Sequence, residues 1–229
     1  KMATGHYARI ERAGGRFLLK KAVDLNKDQS YVLYSMTQEQ LSGTLLPLGG
    51  LTKHEAREIA AAQGFVNAEK PDSQDICFVP DGDYAAFLER TRGKKYPAGD
   101  FLNENGEKIG THAGAVRYTI GQRKGLHLAL GYPAYVCAKD VEKNTVTVAS
   151  EERLFSREAT VGNVNWIAMD ALAAPLRAKV KVRYRQSEQP AELIPEGTDC
   201  VKVIFDSPQR LHPDRRRYSM MKKPCWAAG

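Results

Sequence analysis

A chain of 229 residues with 42% hydrophobic content can bury a core and divide into two or three small domains. No stretch approaches the roughly 18–20 apolar residues that a helical membrane span needs, and the opening residues do not form a signal peptide. The formal net charge is +7, but Arg210, Arg215, Arg216, Arg217, Lys222 and Lys223 against Asp214 put +5 of it after residue 209 and leave +2 for residues 1–209. Bulk basicity is therefore no argument for a nucleic-acid partner, and such a claim has to rest on local sites.

Taken in chain order, Lys1 to His6 enters a strand-like run at once, which is expected of a chain that continues an upstream part. His6 to Ile10 and Arg16 to Val23 are apolar-rich runs joined across Gly14-Gly15, a hairpin pattern. A polar loop, Asn26 to Ser30, precedes the apolar run Tyr31 to Tyr34. Thr37 with Gln40, and Thr52 with Glu55, are capping-box pairs that predict a short helix and then a longer one over 52–63, with Gly64 at its C-terminal stop. Another helix is predicted over 83–91.

From Gly99 onward the pattern is β. Asn103 to Gly106 reads as a turn, Tyr135 to Lys139 and Thr145 to Ala149 flank a second turn at Glu142 to Asn144, and a boundary falls near residues 152–160. Arg177 to Arg185 alternates, with Ala178, Val180, Val182 and Tyr184 on one face, and Ala191 to Ile194 and Val201 to Phe205 continue an antiparallel series. Short strands at this spacing predict a small barrel.

The four cysteines, Cys77, Cys137, Cys200 and Cys225, show no CxxC pairing, which argues against a zinc site and a disulfide framework and makes a reducing cytoplasm the simplest compartment. Cys77 stands in a loop between helix and β region, preceded by Asp72 and Asp75 and bracketed by Pro71 and Pro80. A reactive cysteine must be exposed and its thiolate stabilised, whereas two aspartates raise a thiol pKa, so reactivity here needs a helix dipole, a base or a bound ligand. The alternative is a cysteine packed beside Ile76 and Phe78. Cys137 and Cys200 lie in or beside strand patterns and read as packing residues.

Gly5 allows a close backbone approach and His6 could bond a phosphate or base, against the plainer reading of a solvated histidine at a strand start. Lys27, Asp28 and Gln29 offer a cation, an acceptor and an amide, a set that suits RNA and also ordinary loop chemistry. Arg183, Tyr184 and Arg185 supply two guanidinium groups and a stackable ring, but strand alternation sets Tyr184 opposite the two arginines unless the strand ends there. The basic, Gly-bounded run Tyr118 to Leu126 lacks nucleotide-loop spacing and is expected to pack near Cys77.

Four of these segments occur together and in order: Ala3-Thr4-Gly5-His6-Tyr7-Ala8-Arg9, Lys27-Asp28-Gln29-Ser30-Tyr31, Ser73-Gln74-Asp75-Ile76-Cys77-Phe78, and Tyr118 to Leu126. In this the chain resembles the tRNA-specific 2-thiouridylase (MnmA) family over roughly residues 2–210. The resemblance implies ATP, with Mg, activating the C2 oxygen of the wobble uridine, and Cys77 receiving sulfur as a persulfide from a sulfur-relay protein. It implies an ATP contact at Gly5 and tRNA contacts at His6, Lys27, Asp28, Gln29, Arg183 and Tyr184, with no metal ligands. The expected architecture is an α/β remnant of a nucleotide-binding domain (1–80), a small central α+β domain (81–155) and a C-terminal antiparallel β-barrel (156–229).

Two departures accompany the resemblance. The family's SGGVDSS-type phosphate loop and second catalytic cysteine lie upstream of Gly5 and have no counterpart here, so ATP binding by this chain alone is expected to be weak or nil, and the family's disulfide lacks its usual partner. After Arg210 the text stops resembling the family, which a reading-frame shift would explain. Two rivals stand beside sulfur transfer: a non-enzymatic RNA-binding β-module, and an ATP-pyrophosphatase relative acting on a small metabolite.

Overall fold

The computed structural model describes residues 1–66, 68, 79 and 83–211, with the backbone of Arg217–Ser219 and Cys225–Trp226. The chain gathers into two compact units, one built from residues 1–70, 157–208 and 217–229 and the other from 71–156 and 209–216.

In the first unit, β1 (Met2–Ala3) pairs in parallel with β4 (Thr44–Leu45). Between them β2 (Ala8–Ala13) and β3 (Arg16–Lys21) form the expected hairpin, in register from Ala8 opposite Lys21 to Ala13 opposite Arg16. Its two-residue turn puts Gly14 at φ 56° and Gly15 at φ 82°, the doubly left-handed backbone that follows the strands' own twist. Helix α1 (Gln38–Gly43) opens on the capping box of Thr37 and Gln40, and α2 (Lys53–Ala62) on that of Thr52 and Glu55. The Thr52 amide and hydroxyl hold the Glu55 carboxyl below its usual range. The helix α2 closes with Gly64 at φ 71°, its amide donating to Ala61 O and the Phe65 amide to Ala60 O, a Schellman arrangement.

The turn Pro47–Gly50 lies so close to β2 that a Cβ on Gly49 would stand 1.7 Å from the carbonyl oxygen of Ala8. This approach lets Gly49 O accept from the Val23 amide at 3.0 Å.

The first unit also holds a six-stranded sheet of β9 (Phe155–Gly162), β10 (Leu176–Lys181), β11 (Gln189–Pro195), β12 (Val201–Arg210), β13 (Arg217–Ser219) and β14 (Cys225–Trp226), in the order β13-β9-β12-β11-β10-β14. Antiparallel pairing links β12, β11, β10 and β14, while β13 joins β9 in parallel, so this barrel-type sheet is mixed at one edge and is not closed among the described residues. Val161, Val180, Ala191, Leu193, Val203 and Phe205 are buried in it. The strand expected to reach Arg185 ends at Lys181, because Val180 already faces Gln189 and the intervening residues are needed to reverse the chain.

The second unit carries α3 (Tyr84–Arg92), capped by Asp83, whose Oδ1 accepts from the Ala86 amide at 2.9 Å. Its sheet has β5 (Gly99–Leu102), β6 (Lys108–His112), β7 (Tyr135–Asp140) and β8 (Thr145–Ala149) in the order β6-β5-β8-β7, with β5 and β8 parallel. Phe101, Val136, Val146 and Val148 fill the core with Tyr118 and Leu126. Asn144, at φ 52° in the turn expected between β7 and β8, accepts from the Ala115 amide and donates to Pro97 O and Ala98 O, each at 3.0 Å. The run 118–126 is joined to β7, with the Gly121 amide on Val136 O at 2.7 Å and the Val136 amide on Gln122 O at 2.9 Å. Arg210 donates to Gly121 O at 2.9 Å and lies over the Tyr135 ring.

His112 is buried against Phe101 and Tyr118. Its Nδ1 accepts from the Gly114 amide at 3.0 Å, which assigns the neutral ring's proton to Nε2. Burial pushes its pKa below the usual value, outweighing the opposing influences of Asn144 and Asp100.

Two outcomes follow from this packing. Gly49→Ala is expected to destabilise the protein by about 1–3 kcal/mol in urea unfolding, because β2 must move to admit the methyl group. With its folded pKa depressed, His112 leaves stability intact above its unfolded pKa of about 6.5 and withdraws it as pH falls below that value. The urea midpoint should fall between about pH 7 and pH 5, and His112→Gln should flatten that decline.

Candidate RNA-contact site

The loop after β3 is organised by its own carboxylates. Asp28 Oδ1 accepts from the amides of Ala22 at 3.0 Å and Ser30 at 3.3 Å, and its Oδ2 accepts from the Ser30 hydroxyl at 2.8 Å. Asp24 accepts from the Asn26 amide and, through Oδ2, from the first amide of α2 at Lys53, where the helix dipole favours a negative charge. Gln29 is spent locally as well: its Oε1 accepts from the Tyr7 amide at 2.9 Å and its own amide donates to Tyr7 O at 2.7 Å. These two bonds lay the loop alongside the stretch containing Gly5 and His6. The His6 ring bonds the Thr4 hydroxyl through Nδ1 at 2.8 Å. Lys27 is half-buried, its amide donating to Asp24 O.

Gly5 is exposed, its φ lies outside the left-handed region, and a Cβ there would meet only Leu48 Cδ1, at an ordinary 3.8 Å. Among the described residues nothing demands glycine at this position.

The second group of candidates lies more than 150 residues away in sequence and meets Tyr31, just past the first group's loop. Past Lys181 the chain turns, the Gln186 amide donating to Arg183 O at 3.1 Å, so that Tyr184 and Arg185 occupy the tip. The conflict between strand faces posed by alternation disappears, because these residues are not in a strand. The Tyr184 ring lies 5.9 Å from the ring of Tyr31, two residues after Gln29, and the Tyr31 hydroxyl donates to Val182 O at 3.2 Å. Lys181 Nζ stands 5.8 Å from the Tyr31 centroid and 5.7 Å from that of Tyr184. Arg183 and Arg185 are exposed. The candidates thus fall in two groups, Gly5, His6, Lys27, Asp28 and Gln29 in one and Arg183 and Tyr184 in the other, linked through Tyr31 and Lys181, which the sequence reading did not single out.

Cys77 lies outside the described residues, and so does the expected packing of residues 118–126 against it. Neither described cysteine is in a disulfide: Cys137 is buried, its Sγ 3.4 Å from Thr147 O, and Cys200 is half-buried. Among the described residues no group of three metal-ligating side chains occurs, and no helix is long and apolar enough to cross a membrane.

The chain thus joins an α/β part, a small α+β part and a barrel-type sheet, with a cation and two aromatic rings clustered beside the turn after β10. Three family models match in this order: the "tRNA methyl transferase HUP domain" over residues 1–81, the "tRNA methyl transferase PRC-barrel domain" over 85–150 and the "Aminomethyltransferase beta-barrel domain" over 156–211. The chain is 50% identical over 214 residues to the tRNA-specific 2-thiouridylase MnmA of Heliobacterium modesticaldum, covering 92% of this chain and 56% of that protein. It is 46% identical to the proteins of that name from Halothermothrix orenii, covering 91% of this chain and 59% of the relative, and Treponema denticola, covering 92% and 60%. The chain belongs to the tRNA-specific 2-thiouridylase family, and it spans about three-fifths of the length of these relatives.

Asp28→Ala should loosen the loop that carries Lys27 and Gln29, removing an acceptor from three donors at a cost of about 1–3 kcal/mol in urea unfolding. Hydrogen exchange at the amides of Ala22 and Ser30 should accelerate in the same variant, and unchanged exchange at both would refute the role of Asp28 as the loop's staple.

Proposed function

We propose that this chain is the part of a tRNA 2-thiouridylase that grips the tRNA and carries the sulfur, with Cys77 as the persulfide-bearing residue and C2 of the wobble uridine as the acceptor. The observation that carries this reading is the 45–50% identity to proteins named tRNA-specific 2-thiouridylase across about nine-tenths of the chain. The contact of Tyr31, which follows the loop of Lys27, Asp28 and Gln29, with the turn of Arg183 and Tyr184 supports it, since it brings two segments so distant in sequence close enough to serve one RNA. His6 adjoins the same loop through Tyr7.

When bound, ATP with Mg supplies the activation of the uridine C2 oxygen as a leaving group. In this chain Gly5 offers its open backbone to the nucleotide, and the remainder of that site belongs to the upstream portion of the relatives. The terminal sulfur of the Cys77 persulfide forms the new C–S bond at C2 as the activated oxygen departs. A second thiolate then attacks Sγ of Cys77, breaking the S–S bond, releasing the thiolated base and leaving a disulfide. In a variant of this course the second thiolate attacks first and frees hydrogen sulfide, which attacks C2. Cys137, buried in β7, is poorly placed for that role.

The proposal includes the division into a nucleotide-binding remnant (1–80), a central domain (81–155) and a barrel domain (156–229), a cytoplasmic setting, and a sulfur-relay protein that loads Cys77. Joined to the upstream segment of the Heliobacterium modesticaldum relative, the chain is expected to form 2-thiouridine in tRNA, measured by mass spectrometry of nucleosides, and Cys77→Ser should lower formation by at least about a hundredfold. Full thiolation in the Cys77→Ser variant would overturn the sulfur-carrying role and leave an RNA-binding module in its place.

A further inference from the structure

We infer that Lys181, backed by the ring of Tyr31, is an RNA-contacting residue in its own right, and that with Tyr184 it forms a cation–aromatic subsite for one unstacked base and its adjoining phosphate. The inference rests on the tRNA reading above and extends it to two positions outside the set carried over from the family.

Lys181 Nζ and the two ring centroids make a nearly equilateral triangle with sides of 5.7, 5.8 and 5.9 Å. Both ring distances lie within the reach of a cation–π attraction. The two rings differ in what they leave open. Tyr31 is 6% exposed and its hydroxyl is committed to Val182 O, so it serves as a backstop, whereas Tyr184 is 42% exposed. An aromatic face open to solvent and flanked by a cation is the arrangement on which splayed RNA bases stack while their phosphates are neutralised.

The local charge has no counterweight. From Lys181 to Ser187 there are three cations, Lys181, Arg183 and Arg185, and no acid. Glu188, the next residue, is taken by Lys21 at 2.7 Å. No carboxylate among the described residues pairs with Lys181, whereas Arg177 on the same strand is held by both oxygens of Asp206 at 2.8 and 2.6 Å. The strand β10 thus neutralises its first cation internally and presents its last one beside an open ring.

The test titrates the 229-residue chain with unfractionated tRNA across a salt series, reading binding by fluorescence anisotropy and confirming the fold of each variant by thermal unfolding. Lys181→Met is expected to bind about fivefold more weakly and to flatten the log–log salt slope by roughly 0.7–0.9, the share of one phosphate contact. Lys181→Arg should keep the slope. Lys143→Met, on the turn between β7 and β8, should bind like the unsubstituted chain. A folded Lys181→Met with unchanged affinity and slope would overturn the inference, and so would an equal loss in Lys143→Met, which would reduce the effect to net charge. Failure of the unsubstituted chain to bind any tRNA would instead remove the RNA reading itself.

Discussion

Arg16, Gln38 and Asn165 hold the first unit together by saturating backbone carbonyls. Arg16 donates to Trp166 O and Ile167 O, each at 3.2 Å, and pairs with Asp170. Gln38 donates to Phe17 O at 2.9 Å and Ile167 O at 3.0 Å while its own oxygen accepts from the Phe17 amide, and Asn165 donates to Tyr34 O and Met36 O. Backbone carbonyls withdrawn from water need partners, and each such bond is worth about 0.5–1.5 kcal/mol net, so several in one seam set a definite relation between residues 16–38 and 165–170. The approach of Tyr31 to Tyr184 is downstream of this seam. The seam adds to the direct links of Lys21 with Glu188 and of Tyr31 with Val182 in setting the loop at Lys27 and the turn at Arg183 in one frame.

The distribution of charge repeats the point at the surface. Lys20 is paired with Glu11, Lys202 with Glu158 and Arg177 with Asp206, and the Arg177 guanidinium holds the Asp206 carboxyl below its usual range. Surface pairs of this kind add little stability, but they cancel charge where they stand. In the turn after β10, by contrast, Lys181, Arg183 and Arg185 stand with no acid between residues 181 and 187. A modest +2 over residues 1–209 therefore conceals local excesses of cations, which a net charge does not reveal.

Short-range features were legible in the residues. The Gly14-Gly15 turn, the capping boxes at Thr37 and Thr52, the stop at Gly64 and the turn at Asn144 each depend on backbone geometry set by a few neighbours, and each formed as expected. Alternation misled at Arg183 to Arg185 because a pattern of side chains does not reveal where the partner strand begins. The parallel pairs β1–β4, β5–β8 and β9–β13 carry no turn signal and were invisible for the same reason. At the site, Asp28 followed two residues later by Ser30 is a local turn signature that the sequence could have yielded. The meeting of Tyr31 with Tyr184 and Lys181 could not have been foreseen from either segment, since it exists only through the long-range seam.

That the first unit is assembled from both ends of the chain bears on how it is made. Residues 1–70 leave the ribosome well before the partners of Arg16, Gln38 and Tyr31, which lie between Asn165 and Val182. At synthesis rates of about 5–20 residues per second, the interval from residue 70 to residue 182 lasts on the order of 10 s. For that time the nascent α/β segment must wait with its seam unmade while the interposed unit can already begin to fold. Closure of the proposed RNA-contact surface is thus a late event in biogenesis, and the stretch before it is the window in which a chaperone or a protease would meet this protein.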